Sequence, residues 1–153
     1  MRHLMLPATL LAALALLPRA AAAQPGADEG PATCKVVYVL DGDTINCEGG
    51  VTVRLLLVDV PDHGDLGEEA RAFVVGLAPK GTELRLEFDQ NPRDSEGRWL
   101  AYAWLRDGTM LNKRLVENGF AYVEFSSRNQ ARLKELRASE QGARGQGLGL
   151  WSQ

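Results

Sequence analysis

Apolar and polar positions along this chain change period several times, and each change marks an element. Cys34–Leu40 is rich in Val and Tyr, and Thr44–Glu48 returns as a second extended run. Glu48-Gly49-Gly50 is a turn signal. Val51–Val58 is β-branched and apolar, interrupted on one side by Thr52 and Arg54. From Gly67 to Ala78 the period lengthens, with Ala70, Phe73, Val74 and Leu77 at helical spacing, and Pro79-Lys80-Gly81 stops the helix. Glu83–Phe88 alternates Leu84, Leu86 and Phe88 against Glu83, Arg85 and Glu87, the pattern of a half-buried strand. A polar loop, Gln90–Gly97, leads to an aromatic-rich strand, Arg98–Leu105, which Arg106-Asp107-Gly108 turns. Met110–Asn118 reads as a second helix, with Thr109 as N-cap and Gly119 as the C′ glycine. Phe120–Val123 is short and extended. Arg128–Gln141 reads as a third helix, with Ala131, Leu133, Leu136 and Ala138 on a mixed face and its charges mostly on a solvated surface. The tail, Gly147-Leu148-Gly149-Leu150-Trp151, is expected to dock Leu150 and Trp151 on the body.

Five short strands with one helix after the third and further helices behind predict an α+β, mainly β architecture. The OB-fold, a five-stranded barrel, is the usual solution for that number of strands. There are no internal repeats and no sign of a second domain.

The front of the chain has a different character. Met1-Arg2-His3 gives a positive start, Leu4–Leu17 is apolar apart mainly from Pro7 and Thr9, and Ala21-Ala22-Ala23 supplies small residues before Gln24. This is the layout of a signal peptide over residues 1–23, cleaved before Gln24. The apolar run is short for a bilayer span; Arg19 behind it leaves an uncleaved anchor as the alternative. Residues 24–33 are small, polar and Pro/Gly-containing, a flexible leader to a domain at 34–153. The expected destination is periplasmic or secreted.

Charge narrows the function. The chain carries 17 basic and 20 acidic residues, a formal −3, and would lose Arg2 and Arg19 with the signal peptide. Nonspecific phosphate affinity comes from Lys and Arg, so the balance counts against a high-affinity passive nucleic-acid coat, and any nucleic-acid function must rest on a local basic site. Cys34 and Cys47 flank the Asp41-Gly42-Asp43 turn nearly symmetrically. A hairpin of Lys35–Leu40 with Thr44–Glu48 would bring them together near its open end. Export permits their oxidation, and two cysteines without a nearby His pair do not make a zinc site.

The candidate chemistry is concentrated between Asp41 and Asp62. Arg54 is bracketed there by acids at the ends of apolar runs, as a metal held against a phosphate would require. A second arginine arrives in Asp94-Ser95-Glu96-Gly97-Arg98. Asp41-Gly42 by itself reads as a hairpin turn. Arg54 and Asp59 are an odd number of positions apart, so a regular strand would point them to opposite faces. For both to line one site the strand must end, bend or bulge near Val58.

In Asp41-Gly42-Asp43-Thr44, Arg54–Pro61, Gly97-Arg98 with Leu100-Ala101-Tyr102, and Asn118-Gly119, taken in order, the chain resembles the staphylococcal nuclease (thermonuclease) family from Val36 to Trp151. The resemblance implies a Ca²⁺-dependent nuclease acting on DNA and/or RNA phosphodiesters, on an OB-fold. It implies metal binding by Asp43, Asp59 and the Val60 carbonyl, oxygen donors that suit calcium. It implies phosphate binding by Arg54 and Arg98, whose planar donors match phosphate oxygens. The family has glutamate after the proline, as base or water-orienting acid; here it is Asp62, shorter by one methylene. Three readings follow: the loop brings Asp62 into reach, Asp65, Glu68 or Glu69 serves instead, or the enzyme is slowed. The expected function is a working nuclease, as a monomer. The alternative is a catalytically impaired OB-fold module that binds single-stranded nucleic acid or a protein partner. A third class is a structural, calcium-stabilised domain. Ser95, Glu96, Phe125 and Ser127 stand near positions that carry lysine and tyrosines in the family's best-known member, so a weaker grip on the nucleotide is expected. Phe125 keeps a stacking face, and Trp99 is a second candidate platform, with a place in the core as its alternative reading. His63 reads as a solvated loop residue.

Overall fold

The computed structural model describes residues 30–126 and 128–152. The expected signal peptide, most of the leader, and Ser127 lie outside the described residues. Seven strands and three helices follow in the order β1 (Thr33–Val39), β2 (Thr44–Cys47), β3 (Val51–Leu55), β4 (Val58–Asp59), α1 (Asp65–Leu77), β5 (Glu83–Glu87), β6 (Trp99–Trp104), α2 (Leu111–Glu117), β7 (Tyr122–Val123) and α3 (Leu133–Gly145). Five of the strands close a barrel in the order β1-β2-β3-β6-β5, while β4 and β7 form a separate two-stranded ribbon. All the barrel pairings are antiparallel except β3 with β6. This is the expected OB-fold with three helices.

The alternation in β5 is realised as read: Leu84 and Leu86 are buried, and Glu83 and Arg85 are exposed. Strand β6 does not alternate, because Ala101, Tyr102 and Ala103 are all buried. Helix α1 turns Ala70 and Val74 inward, and α2 buries Leu111, Leu115 and Val116. A single core results, running from Val36 and Ile45 in the barrel to Leu136 on α3. Among the described residues no helix is long and apolar enough to cross a membrane.

Two helix boundaries correct the expectation. Thr109 does not cap α2: Met110 takes the N-cap position with no side-chain cap bond. The Thr109 N–H donates to Asp107 Oδ1 at 2.9 Å, and its carbonyl accepts from Leu105 N at 2.8 Å, so it closes the preceding turn. Helix α3 starts five residues later than Arg128. The segment before it is tied to the β5–β6 side instead: Asn129 exchanges two bonds with the Asn91 backbone, Ala131 N donates to Asp89, and Arg132 forms a bidentate pair with Glu87. Gly119 holds φ at +73° after α2, as a C′ glycine should. A Cβ there would collide with the Leu148 carbonyl. The tail docks at that point, with Leu150 N donating to Gly119 O at 2.9 Å and the Trp151 ring edge-on to Tyr122 at 5.3 Å.

Cys34 and Cys47 are disulfide-bonded across the open end of the β1–β2 hairpin. Replacing both by serine is expected to lower unfolding stability by about 3 kcal/mol, from the loop the bridge closes. Urea unfolding of the two forms, with reductant affecting only the parent, checks this.

Candidate functional site

The site begins with an interruption. Strand β3 ends at Leu55, and Leu56-Leu57 form a turn before β4, with Leu57 in the left-handed region at φ +61°. This is the break that the odd spacing of Arg54 and Asp59 demands, one to two residues earlier than Val58. A leucine at positive φ is strained, and both turn residues are buried, so their backbone groups need partners. Asn112, fully buried on α2, meets part of that need and ties the turn to β6. Its amide nitrogen donates to Leu56 O at 2.9 Å and Ala101 O at 3.3 Å, and its oxygen accepts from Ala103 N at 3.0 Å. Leu56 N donates to Ala101 O, and Leu57 O accepts from Glu124 N.

Beyond the break, β4 pairs with β7 in the register Val58↔Val123 and Asp59↔Tyr122. Val58 and Val123 face the core, while Asp59, Tyr122 and Glu124 face outward. Glu140 on α3 fastens this ribbon. It is buried, accepts from Val123 N at 2.9 Å, and is flanked by Arg137 and Arg144. Glu140 is the exception to the mostly solvated α3 charges.

The turn Asp41-Gly42-Asp43 packs beneath β4. Asp41 Oδ1 accepts from Asp43 N at 3.2 Å, so Asp41 shapes the turn as expected. Gly42 is needed for close approach, since a Cβ there would press on Val60 Cγ1 and Ala70 Cβ. Asp43 is 7% exposed. Its Oδ1 accepts from Thr44 Oγ1 at 2.9 Å and its Oδ2 from Val60 N at 3.2 Å. Burial pushes its pKa up to about 6; Asp41 adds to the rise, while Arg54 and the two hydrogen bonds oppose it.

Arg54 gathers three carboxylates. Its Nη2 lies 3.6 Å from Asp43 Oδ2 and 3.5 Å from Asp59 Oδ1, and its Nη1 lies 3.3 Å from Glu124 Oε2. Asp43 and Asp59 thus converge on one nitrogen, next to Val60. Among the described residues no three acid, histidine or cysteine side chains cluster so as to hold a metal ion. A cation would rest on the two aspartates, a backbone carbonyl and water, all hard oxygen donors of the kind calcium accepts. The desolvated Asp43 carboxylate fits that role, because a cation relieves what burial costs it.

Arg98 stands across an open cleft of about 490 Å³ whose lining includes Arg54, Asp94, Glu124, Phe125 and Asn129. Asp94 clamps it, accepting from Arg98 Nε at 2.7 Å and from its backbone N–H at 2.9 Å. Burial alone would raise the Asp94 pKa, but these bonds outweigh it and hold the carboxyl below its usual range. Glu96 approaches Arg98 Nη2 at 3.3 Å. Phe125 is 65% exposed at the cleft. Trp99 is 8% exposed, packed on Phe88 and covered by the Arg93 guanidinium at 3.6 Å. It offers no open face, which corrects the expectation of a stacking platform there. Asp62 is exposed in a separate depression lined by Leu40, Asp41, His63 and Arg71 among others. Asp65, Glu68 and Glu69 are exposed on the start of α1, and the Arg54–Arg98 cleft is not lined by any of them.

The model for staphylococcal nuclease homologues matches residues 52–153. The chain belongs to the staphylococcal nuclease family. It is 30% identical over 130 residues to the thermonuclease of Staphylococcus hyicus, covering 78% of this chain and 76% of that protein. Against the thermonuclease of Staphylococcus intermedius it is 32% identical over 126 residues, 76% of this chain and 74% of that one. The SPbeta prophage-derived endonuclease YokF of Bacillus subtilis (strain 168) is 35% identical over 125 residues, 74% of this chain but only 42% of YokF. The matched family segment begins after Asp43 and the disulfide, so this nuclease-family chain carries those features outside the segment the family model covers.

Sequence reasoning did not single out Asn112, Glu124 or Glu140. Only Glu124 left a signal: the alternation of Ala121-Tyr122-Val123-Glu124 puts it on the outward face with Tyr122.

Two outcomes are expected. Asp43 is protonated in the folded state at pH values where the unfolded chain has already ionised it, so the metal-free protein loses stability as pH rises from about 4 to about 6. The loss is on the order of 3 kcal/mol. In Asp43→Asn that part of the pH dependence disappears, which denaturant unfolding across the range will register. Asn112→Ala strands buried backbone groups and is expected to cost about 3 kcal/mol, read by the same method.

Proposed function

We propose that this family member is an exported, calcium-dependent nuclease that hydrolyses phosphodiester bonds in DNA and/or RNA, working as a monomer. The observation that carries the reading is the meeting of Asp43 and Asp59 on one nitrogen of Arg54, with Arg98 across the same cleft. The names of the relatives, thermonuclease and endonuclease, support the activity. The residue layout of Met1–Ala23 and the disulfide support export.

In this proposal Asp43, Asp59 and the Val60 carbonyl hold the metal, and Arg54 and Arg98 bind the scissile phosphate. Their guanidinium donors stabilise negative charge growing on the phosphate oxygens as water attacks. Calcium, when bound, supplies positive charge to the phosphate and a place to orient water. Asp94 keeps the Arg98 planar fork aimed in advance, so little ordering is left for the moment of binding. Phe125 offers an aromatic face to a base. Asp62, the acid that its place after Pro61 designates for the water, would have to swing its loop toward Arg54 to serve. That position favours a second reading, an impaired OB-fold module that binds single-stranded nucleic acid.

Cleavage of denatured DNA by the mature protein is expected in calcium and is expected to stop in excess chelator. Arg98→Ala should lower the rate by about a hundredfold or more. If neither the parent nor Asp62→Glu cleaves DNA or RNA, the enzyme reading is lost and the binding module takes its place.

A further inference from the structure

Resting on the phosphate role proposed above for Arg54 and Arg98, we infer that Glu96 and Glu124 are built-in competitors for the phosphate. Each lays a carboxylate on one of the two arginines, and a substrate must displace both. The pair therefore sets how tightly nucleic acid binds.

Arg98 is held by acids of two kinds. Asp94, with its side chain 18% exposed, takes Nε at 2.7 Å and also the backbone N–H, so it belongs to the frame. Glu96, with its side chain 69% exposed, reaches Nη2 at 3.3 Å by a single contact. Arg54 repeats the arrangement. Asp43 and Asp59, proposed for the metal, share Nη2, and Glu124, 53% exposed, accepts from Nη1 at 3.3 Å. Among the described residues Glu96 pairs with no cation but Arg98, and Glu124 with none but Arg54. Carboxylate and phosphate oxygens use the same guanidinium donors. A phosphate docking on Nη1 of Arg54 or Nη2 of Arg98 thus takes a glutamate's place.

Both competitors are tethered beside their arginines. The Glu124 backbone is fixed by its N–H to Leu57 O at 3.0 Å, and the Glu96 N–H donates to Asp94 Oδ1 at 2.9 Å. A group on a short tether acts at an effective concentration on the order of millimolar, yet an exposed ion pair is weak enough to break. The glutamates yield to a well-placed phosphate and return when it leaves, which favours release of the cleaved ends. Each also stays close after displacement, as a negative charge beside the bound anion.

The test measures binding of a short single-stranded DNA, and separately of inorganic phosphate, to the full mature protein in chelator. Glu96→Gln, Glu124→Gln, their double variant and Glu83→Gln are compared with the parent, with melting temperature as the check on folding. Glutamine keeps the shape and removes the charge. Glu83 is exposed on β5 and does not line the cleft, so Glu83→Gln makes the same change in net charge elsewhere. Each glutamate variant at an arginine is expected to tighten both ligands about fivefold, the equivalent of one exposed ion pair, and Glu83→Gln by less than about twofold. The double variant should bind more tightly than either single one, and KM for denatured DNA in calcium should fall in the same order. Unchanged or weaker binding at parental melting temperature overturns the inference and makes the glutamates positioning residues for the arginines. Equal tightening in Glu83→Gln overturns it in favour of a general effect of charge. Tighter binding by the Glu96 and Glu124 variants of a protein that cleaves nothing upholds it while the nuclease reading falls.

Discussion

Everything in the candidate site depends on the interruption of one strand. Without the turn at Leu56-Leu57, Arg54 and Asp59 would face opposite sides of a continuous strand and could not meet. A turn buried in apolar surroundings is costly because its backbone groups have no water to bond. Asn112 makes it tolerable, being of a type that carries both donors and an acceptor in one short planar group. It joins the turn to β6, so the same amide fixes the turn against the strand that begins beside Arg98. The barrel, the ribbon and the two arginines are thereby held in one frame.

The second constraint is electrostatic. The chain is acidic overall, and around Arg54 carboxylates outnumber the guanidinium three to one. Asp43, the most buried of the three, carries a raised pKa, mainly because of that burial, with Asp41 adding to the rise. The imbalance has a direction: it favours a cation near Asp43 and Asp59 and leaves the Arg98 side for the anion. The metal and phosphate sites proposed above would in this sense be poised by the excess of negative charge. It also means that affinity for nucleic acid without metal will be weak and salt-sensitive.

Much of this was legible in the sequence, and the reasons differ by element. The alternation of Leu84 and Leu86 with charged neighbours identified a barrel strand, because a half-buried strand leaves no other pattern. The placement of Cys34 and Cys47 about a turn announced their bond, since a hairpin converts symmetric spacing into contact. Even the break could be inferred, from the parity of Arg54 and Asp59. What stayed hidden were polar residues whose partners are remote in the chain. Asn112 sits in a helical pattern where it reads as a surface residue, yet its partner Leu56 is 56 positions away. Glu140 lies among charges that are mostly solvated, and Glu124 is 70 positions from Arg54. Trp99 misled for the opposite reason, because an aromatic ring in a binding strand looks the same in sequence whether its face is open or covered by Arg93. The start of α3 was misplaced because helical periodicity continues into a segment whose amides are already committed to Asp89 and Asn91.

The ribbon's second strand has a consequence for when the site comes into being. Tyr122 leans on Trp151, and Val123 hangs on Glu140. The chain delivers Asp43, Arg54 and Asp59 first on synthesis, but the strand that pairs with β4 is secured only by residues that emerge last. A nascent chain therefore holds its arginines and aspartates without a finished cleft. Assembly order itself thus separates making the protein from having its chemistry.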